Sequence, residues 1–326
     1  MCLLGCRLSR FCFYTVHKKM AKVLIATDKP FAPVAVKGIR EILEGKGFEV
    51  ALLEKYTDKS DLLNAVKGVE AIIIRSDIID AEVLSAADSL KIVVRAGAGY
   101  DNVDLDAATQ KGVCVMNTPG QNANAVAELV LGLLVYCVRN MFNGTSGTEL
   151  LGKTLGIHAY GNVGRNVARI AKGFGMEVYA FDPYCPSDVI EKDGVKALGS
   201  AEELYKTCKV VSLHIPATDE TKKSINYDLL SKMPKGAILI NTARKEVIDE
   251  EGLLKLMAER GDFRYMSDIK PSNDQELKAG YPDRYFATPK KMGAQTSEAN
   301  VNAGLAAASQ IVDFLINGNE RFRVNK

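Results

Sequence analysis

Four positions in the middle of the chain have the types and spacing of a site for a phosphate-linked ligand. They are Ala159, Gly161, Gly164 and Asp182. Small residues let a backbone turn tightly and approach a pyrophosphate, whose charge then lies at the N-terminus of the following helix. A carboxylate at the end of the next strand accepts hydrogen bonds from ribose hydroxyls. The set therefore predicts that this segment binds a dinucleotide.

The elements around these positions support that interpretation. A strand predicted over 154–160 leads into the small residues, a helix follows, and a second strand over 177–181 delivers Asp182. The usual fingerprint is Gly-x-Gly-x-x-Gly, and here alanine occupies its first position. A lone glycine motif is weak, but the flanking strand, helix and acid make this instance specific. The loop residues expected to contact the cofactor are Ala159, Tyr160, Gly161, Asn162, Val163 and Gly164.

Asp182 also predicts which dinucleotide is bound. A carboxylate at this position repels a 2′-phosphate, and no arginine follows it directly. The pattern therefore favours NAD over NADP.

Short apolar runs alternate with helical stretches along the chain, which is typical of an α/β protein with parallel sheets. The runs are KVLIAT, FEVALL, AIIIRS, KIVVRAG and VCVMNTPG, then TLGIHAY, MEVYAF, KVVSLH, AILIN, RYMSD and YFAT. AIIIRS is apolar without alternation, as a strand buried on both faces should be. We therefore predict two doubly wound parallel-sheet domains, the second a Rossmann NAD-binding domain.

Three further segments are predicted from the same patterns. One long apolar helix is predicted over 122–138, followed by a polar, glycine-rich arm over 140–152. A last helix is predicted from near Ser297 to just before Gly318, with Thr296 or Ser297 as its N-cap.

Composition argues against several classes of protein. The 326 residues carry a formal net charge of +2, which implies neither a nucleic acid nor an acidic membrane as a partner. No apolar run reaches the roughly 18 residues of a membrane span. The seven cysteines form no Cys-x-x-Cys pair and no cluster with histidine. We therefore expect no metal site and no disulfide framework, but reduced thiols in a cytoplasmic protein.

Residues 1–19 differ in composition from the remainder of the chain. They contain basic residues, no acidic residue and three of the seven cysteines. An ordered pattern begins only after Met20, so we expect this extension to be unstructured or untranslated.

Five segments resemble the D-isomer-specific 2-hydroxyacid dehydrogenases, in the order in which that family has them. They are RAGAGYDNVDL, MNTPGQN, GIHAYGNVGRNVARIAKGFGMEVYAFDPY, SLHIPATDETKKSIN and NTARKEVIDEEGL. The resemblance extends from Lys22 to the C-terminus. It implies an NAD-dependent hydride transfer at C2 of a small anionic D-2-hydroxy acid, and a homodimer formed through the cofactor domains. The chain ends soon after its last helix, so no C-terminal regulatory domain is expected.

The first domain of that family is split, which sets the expected domain limits. Residues 20–118 and 298–326 are assigned to a substrate-binding domain, and residues 119–297 to the NAD-binding domain. The last helix then returns to the first domain. A hinge near 117–119 would close the two domains over a cleft and exclude water.

The resemblance assigns two catalytic residues. Arg244, in NTAR, matches the family's catalytic arginine, whose guanidinium can hold a carboxylate by two parallel hydrogen bonds. The family's base is a histidine, but this chain reads TPKKMGA there. Counting back from Gly293 places Lys291 in the histidine position, and counting forward from Thr288 places Lys290 there. We prefer Lys291. The partner glutamate is also missing, and a lysine needs no acid to select a tautomer.

The remaining site residues also follow from the resemblance. The cofactor side is assigned His214, Ile215, Pro216, Thr242, Ala243 and Asp268, with His214 as a pocket wall and Asp268 bonded to the nicotinamide amide. The substrate side is assigned Arg75, Ser76, Ala98, Gly99, Asn122, Arg95 and Arg139, the last two for a phosphate that could be bound across a dimer interface. Clustered arginines favour a phosphorylated acid. Two alternatives stay open: a reductase of keto acids that lack phosphate, and an NAD(H)-binding co-regulatory scaffold.

Overall fold

The computed structural model describes residues 20–325, so the prediction made for residues 1–19 lies outside the described residues. The chain forms two fully parallel sheets. The first has five strands and the second has seven. This confirms the predicted fold class of two doubly wound α/β units.

The first sheet and its helices use the N-terminal third of the chain. The elements are β1 (Lys22–Thr27), α1 (Pro33–Glu44), β2 (Glu49–Glu54), α2 (Lys59–Ala65), β3 (Ala71–Ile74), α3 (Ala81–Ala86), β4 (Ile92–Arg95), α4 (Leu105–Gln110) and β5 (Cys114–Asn117). The strand order is β2-β1-β3-β4-β5. All four residues of β3 are buried, as its unbroken apolar run predicted.

The second sheet begins after a connecting helix. The elements are α5 (Ala123–Val138), β6 (Thr154–His158), α6 (Asn162–Gly173), β7 (Glu177–Phe181), α7 (Ser187–Lys192), β8 (Lys196–Ala197), α8 (Ala201–Thr207), β9 (Val210–Leu213), α9 (Tyr227–Leu230), β10 (Ile238–Asn241), α10 (Glu250–Glu259), β11 (Arg264–Ser267), α11 (Asp274–Gly280), β12 (Tyr285–Ala287) and α12 (Ser297–Asn317). Short 3₁₀ turns lie at Asn140–Phe142 and Lys245–Val247. The two-residue strand β8 had no sequence signal.

The strand order of the second sheet determines where a ligand can bind. The order is β12-β11-β10-β9-β6-β7-β8, so the chain winds outward in one direction from β6 and in the other from β9. Ligands of such sheets bind beyond the carboxyl ends of the strands at this reversal. The cofactor loop follows β6, and His214 follows β9. The fold therefore brings two of the predicted cofactor segments together.

The last helix returns to the first domain, as predicted. The Thr296 hydroxyl accepts the N–H of Ala299 at 3.1 Å, so Thr296 is the N-cap. Gly318 ends the helix in the left-handed region, with φ 70°. A Cβ on Gly304 would lie 2.9 Å from Ile39 Cδ1, so a missing side chain lets α12 pack closely on α1.

Helix α12 bears on the prediction that no apolar run is long enough to span a membrane. By length and composition alone, α12 is long and apolar enough to cross a membrane, and core helices of soluble proteins meet the same criterion. Its buried residues pack into the core of the first domain, and they are Ala299, Ala303, Gly304, Ala307, Ala308 and Ile311. Within the described chain, α12 therefore acts as a core helix.

Cysteines of the described range are not joined in disulfides. Cys114, Cys137 and Cys208 are buried, and burial raises the pKa of each thiol, to about 11, 11 and 12 respectively. Cys185 is half-buried. The first three thiols are therefore protonated and unreactive near neutral pH.

A C-terminal tail, residues 319–325, covers the edge strand β5. Val324 donates its N–H to the Val115 carbonyl at 2.8 Å. The Asn325 side chain, only 2% exposed, accepts from Val115 N and donates to the Val113 carbonyl and the Thr109 hydroxyl. The tail therefore satisfies backbone groups at an otherwise open sheet edge.

We expect Asn325→Ala to destabilise the protein by about 2 kcal/mol or more, because it leaves a buried N–H and a buried carbonyl unpaired. Urea unfolding would measure the loss. Asn302→Ala, at an exposed position of α12, is the matched control and should unfold like wild type. Equal stability of the two variants would show that the tail bonds contribute nothing.

Candidate active site

The turn between β6 and α6 has the geometry of a pyrophosphate cradle. Ala159 takes the left-handed region with φ 81°, the conformation for which glycine is usual at this position. A Cβ on Gly161 would meet no atom within 4 Å, so the space beside it is open for a ligand. A Cβ on Gly164 would lie 2.9 Å from Ile157 Cγ2, so its absence permits close packing of helix and strand. Each small residue thus has a separate physical role.

These roles predict different outcomes for two alanine variants. Gly164→Ala should cost about 1–3 kcal/mol of stability, because the methyl group overlaps the strand. Gly161→Ala should leave stability unchanged and weaken NADH binding by about tenfold or more, because the methyl group occupies the ligand's space. Urea unfolding and a fluorescence titration with NADH would separate the two effects. Equal behaviour of the variants would contradict the assignment.

Asp182 lies at the end of β7, where a ribose is expected. One carboxylate oxygen accepts the N–H of Tyr160 at 2.7 Å, and the other accepts the N–H of Tyr184 at 2.8 Å. The half-buried carboxylate is therefore fixed in place and keeps further acceptor positions. The Tyr160 side chain is buried and bonds Asp193 at 3.1 Å, so only its backbone can serve the cofactor loop.

Further residues at the sheet reversal fit a cofactor to different degrees. The Thr242 hydroxyl is buried without a hydrogen-bond partner, which leaves a polar group available to a ligand. His214 bonds Ser212, and burial lowers its pKa to about 3. His158 is buried against Tyr205, and burial lowers its pKa to about 4. Both imidazoles are therefore neutral at pH 7, as expected for packed residues.

Three assigned cofactor residues face the core instead. Ile215 and Ala243 are buried in the apolar cluster beneath β9–β11, and Val163 packs against the cluster beneath α5. Pro216 is exposed. The side chains of Ile215, Ala243 and Val163 therefore position the loops, and the assignment of these residues to the cofactor stays a prediction for their backbone groups.

The residues present fit NAD. An open glycine cradle, the N-terminus of α6, a fixed carboxylate at Asp182 and an unpartnered Thr242 hydroxyl lie along the carboxyl edge of one sheet. Backbone N–H groups at the helix start suit the pyrophosphate, and Asp182 suits the ribose hydroxyls. NAD+ supplies the hydride acceptor when it is bound.

A group of cations lies where the two domains face each other. Burial, then the charge of Arg75 and that of Arg244, lower the pKa of Arg95, against the opposing effect of Asp101. Arg95 donates from Nε to the Arg75 carbonyl at 3.0 Å. Arg75 itself donates to the carbonyls of Lys29 and Pro30 and to Asn300 Oδ1. The guanidinium groups are thus held close together although they repel one another, which favours an anionic ligand.

Glycine makes room for this cluster. A Cβ on Gly97 would overlap the guanidinium of Arg95. A Cβ on Gly99 would lie 3.7 Å from Arg244 Nη2, so the turn after β4 faces Arg244 of the other domain. The predicted turn Ala98–Gly99 therefore lies beside the predicted catalytic arginine. Ser76 lies at the same edge and is exposed.

Lys291 joins this cluster from a loop after β12. Desolvation by the surrounding protein, then the charges of Arg244 and Arg95, lower the pKa of its amine, whereas Asp268 and Asp101 oppose the shift. The side chain itself remains exposed to solvent. An amine with a lowered pKa is better suited to take a proton near neutral pH than an ordinary lysine.

The loop that carries Lys291 is anchored by Asp268. This carboxylate is 1% exposed and accepts the Thr288 hydroxyl and the N–H groups of Met292 and Gly293, each at 2.8 Å. We predicted that Asp268 bonds the nicotinamide amide, and three donors already use most of its acceptor positions. The structure adds a second role that the sequence did not indicate.

Arg139 is the assigned residue that the chain does not bring into the cluster. It follows α5, whose 16 residues separate it from Asn122 by about 24 Å. Its exposed side chain could reach a site only in another subunit, so that role stays a prediction. Asn122 lies at the N-cap of α5, where its side chain makes no capping bond. Asn300 and Asp101 were missed, although Asp101 lies within the family-like segment RAGAGYDNVDL.

Residues 137–282 match the D-isomer specific 2-hydroxyacid dehydrogenase, NAD binding domain family. A hydroxypyruvate reductase of Thermotoga maritima is 34% identical over 281 residues, covering 81% of this chain and 90% of that protein. The chain therefore belongs to the D-isomer specific 2-hydroxyacid dehydrogenase family, whose members are NAD-dependent oxidoreductases.

Other relatives share a more particular description. The NAD+-bound crystal structure of 3-phosphoglycerate dehydrogenase from Entamoeba histolytica is 48% identical with TM-score 0.83, covering 94% of this chain and 99% of that one. A D-3-phosphoglycerate dehydrogenase of Methanocaldococcus jannaschii is 36% identical over 310 residues, covering 90% of this chain and 57% of that protein. The chain thus spans little more than half the length of the archaeal relative.

Proposed function

We propose that this protein oxidises 3-phospho-D-glycerate to 3-phosphohydroxypyruvate with NAD+, a step of phosphorylated serine biosynthesis. The observation that carries the proposal is the cluster of Arg75, Arg95, Arg244 and Lys291 at the facing edges of the two domains. A phosphorylated hydroxy acid brings two anionic groups, and such a cluster suits both. The names of the amoebal and archaeal relatives support the same substrate.

The chain's own residues can perform three tasks in this reaction. Arg244 holds the carboxylate and polarises the C2 oxygen through its guanidinium. Lys291, as the neutral amine, takes the hydroxyl proton as C2 is oxidised, and as the ammonium it returns that proton in reduction. Asp268 fixes the loop that aims Lys291. Closure of the two domains excludes water from the cleft.

The test compares three keto acids. NADH oxidation is followed with phosphohydroxypyruvate, hydroxypyruvate and glyoxylate. We expect kcat/KM for the phosphorylated acid to exceed the others by about 100-fold or more, since a site built for a phosphate is left unpaired without it. Similar rates on all three would refute the phosphate assignment. Stoichiometric NADH binding without turnover would favour a co-regulatory scaffold.

A second candidate is reduction of hydroxypyruvate or glyoxylate. The similarity to the Thermotoga hydroxypyruvate reductase favours this candidate, because the match covers 90% of that protein. In that case, removing the charge of Arg95 should leave turnover of hydroxypyruvate intact. Under our proposal, Arg95→Gln instead reduces the preference for the phosphorylated acid.

We also propose a homodimer through the cofactor domains. Helix α5 and the following turn leave apolar side chains incompletely covered, including Leu129, Val135, Tyr136 and Met141, and Phe142 is 66% exposed. An apolar face of this kind is usually covered by a partner. Sedimentation velocity should show a dimer, and Phe142→Ser should shift the population toward monomer. A wild-type monomer at micromolar concentration would refute the proposal.

A further inference from the structure

The guanidinium of Arg75 carries a positive charge that no carboxylate pairs with directly. Arg75 follows β3 and is half-buried at the carboxyl edge of the first sheet. It forms none of the ion pairs found among residues 20–325. Its acceptors are all neutral, namely the carbonyls of Lys29 and Pro30 and the side-chain amide of Asn300. A half-buried cation without a counter-ion favours an anionic ligand.

The nearby carboxylate of Asp77 is used by other donors. It is 4% exposed and accepts the N–H of Asp28 at 2.7 Å and the Tyr56 hydroxyl at 2.6 Å. Its second oxygen accepts the backbone N–H of Arg75 at 3.1 Å. Burial lowers the pKa of the Arg75 guanidinium more than the charges of Asp77 and Asp28 raise it. Asp77 therefore fixes the backbone of Arg75 and leaves its guanidinium without an ion-pair partner.

The guanidinium of Arg75 is held in one orientation with one edge unused. Its Cζ lies 5.2 Å from the centre of the Phe31 ring, which covers one face. Nη1 donates to the carbonyls of Lys29 and Pro30 at 3.0 and 3.1 Å, and Nη2 donates to Asn300 Oδ1 at 2.5 Å. Nε finds no acceptor within the described part of the chain. Nε and the second hydrogen of Nη2 are thus left to bind an oxyanion by two parallel hydrogen bonds.

Asn300 is the side chain of α12 that holds this guanidinium. Its Nδ2 donates to the Thr296 carbonyl at 2.8 Å, one turn earlier in the helix, so its Oδ1 is the atom that faces Arg75. An amide oxygen accepts the hydrogen bond without bringing a negative charge. An aspartate of the same shape would form an ion pair and cancel the charge of Arg75. The amide therefore positions the cation and leaves it available to a ligand.

Arg75 and Arg244 lie at different strands along one edge of the first sheet. The turn after β4, at Gly99, is the one that faces Arg244. Arg75 follows the neighbouring strand β3, and its guanidinium reaches the loop after β1, the next strand in the order. Neighbouring strands lie about 5 Å apart, so about one to two strand spacings separate the two positions. This separation suits a small ligand with an anionic group at each end.

We propose that Asn300 determines the preference for a phosphorylated substrate, because its uncharged amide positions the Arg75 guanidinium and leaves the charge of that guanidinium to bind the phosphate. The inference rests on the proposed function and deepens it by assigning the phosphate to Arg75 and a positioning role to Asn300. Arg244 then receives the carboxylate at the reacting end of the substrate. The returning helix α12 thereby contributes to the substrate site as well as to the core.

The first experiment adds a charge at Asn300 while keeping the shape of the side chain. In Asn300→Asp the new carboxylate pairs with Arg75 and repels the phosphate. The ratio of kcat/KM for phosphohydroxypyruvate to that for hydroxypyruvate should fall by about 100-fold, through KM for the phosphorylated acid. Asn302→Asp adds the same charge at an exposed position two residues along α12 and should leave the ratio within about threefold of wild type.

A second variant removes the positioning bond without adding charge. In Asn300→Ala the same ratio should fall by about tenfold, because Nη2 loses its side-chain acceptor. Asn300→Asp should still fold, since a carboxylate near the N-terminus of a helix is favourable, and urea unfolding checks this. Losses that are equal for both keto acids, with the ratio unchanged, would show a merely structural role for Asn300 and overturn the inference.

Chemical modification of Arg75 tests the positioning without turnover. Phenylglyoxal reacts with arginine, and mass spectrometry of the peptide that contains Arg75 gives the rate. Asn300→Ala should react about threefold faster or more, because one hydrogen bond is lost. Inorganic phosphate should protect Arg75 in wild type but not in Asn300→Asp. An unchanged rate in Asn300→Ala would overturn the role of Asn300.

The two experiments separate this inference from the proposed function. If wild type failed to turn over phosphohydroxypyruvate, the proposed function would be refuted. The modification rates and the protection by inorganic phosphate would still decide whether Asn300 holds Arg75 ready for an oxyanion.

Discussion

Lys291→Ala is expected to lower kcat for oxidation by about 10²–10⁴-fold, the contribution typical of a positioned general base. Lys290→Ala, one residue earlier, should retain activity within about tenfold, because Lys291 is the lysine whose amine senses Arg244 and Arg95. Steady-state kinetics of NADH formation would measure both. The adjacent variant is a close control, since it removes the same charge from the same loop.

The pH dependence follows from the direction of the Lys291 shift. Oxidation needs the neutral amine, so its rate should rise with pH and level off below the ordinary lysine range, because the pKa of Lys291 is lowered. Reduction needs the ammonium form and should fall through the same pH region. A bell-shaped pH–rate profile centred near pH 7 in wild type would count against Lys291 as the acid–base group. Equal losses of kcat in Lys291→Ala and Lys290→Ala would count against it as well.

Arg244→Ala should reduce kcat/KM by about 10³-fold or more, because it removes both the carboxylate partner and the positive charge beside the developing oxyanion. Arg244→Lys should recover only a small part of the lost kcat/KM, since an ammonium cannot offer two parallel donors. Two kinds of bond hold the backbone around Arg244. Asn241 donates to the Arg244 carbonyl at 2.9 Å and accepts the N–H of Ala243 at 3.0 Å, and the Arg244 guanidinium donates to the Ala243 carbonyl at 2.9 Å. Because the Asn241 bonds remain in Arg244→Ala, we expect the loss of kcat/KM to exceed any loss of stability.

The control for Arg244 is Lys245→Ala, which removes an exposed charge from the next position. It should change kcat/KM by less than about threefold, as expected for an exposed, solvent-screened charge. NADH affinity, measured by fluorescence, should be the same in Arg244→Ala and wild type. If affinity for NADH fell in parallel with turnover, Arg244 would be acting on the cofactor and not on the substrate.

Local signals predicted the strand, turn and helix that surround the loop between β6 and α6. The roles of Ala159, Gly161 and Gly164 depend on backbone turns within six residues, so their spacing carried the information. The parallel strands were also predictable, because burial on both faces demands unbroken apolar runs such as that of β3.

The sequence predicted least where tertiary contacts decide which way a side chain points. Ile215, which follows the assigned His214, directs its side chain into the core beneath the sheet. Arg139 was assigned to a phosphate bound across a dimer interface, and the length of α5 separates it from the cluster within one chain, so that role stays a prediction. Asp268 was assigned only to the nicotinamide amide. It also holds the Lys291 loop by three hydrogen bonds, to residues 20 or more positions further along the chain. No periodicity in the sequence encodes such directions and distances.

The return of α12 to the first domain has a mechanical consequence. The chain crosses between the two sheets twice, after β5 and again between β12 and α12. These two connections restrict the motion of one domain relative to the other. The main motion that remains is a rotation about the line that joins the two crossing points. A pair of spin labels, one in each domain and both far from that line, would therefore register the rotation most sensitively, whereas labels beside Thr118 or Thr296 would barely move apart.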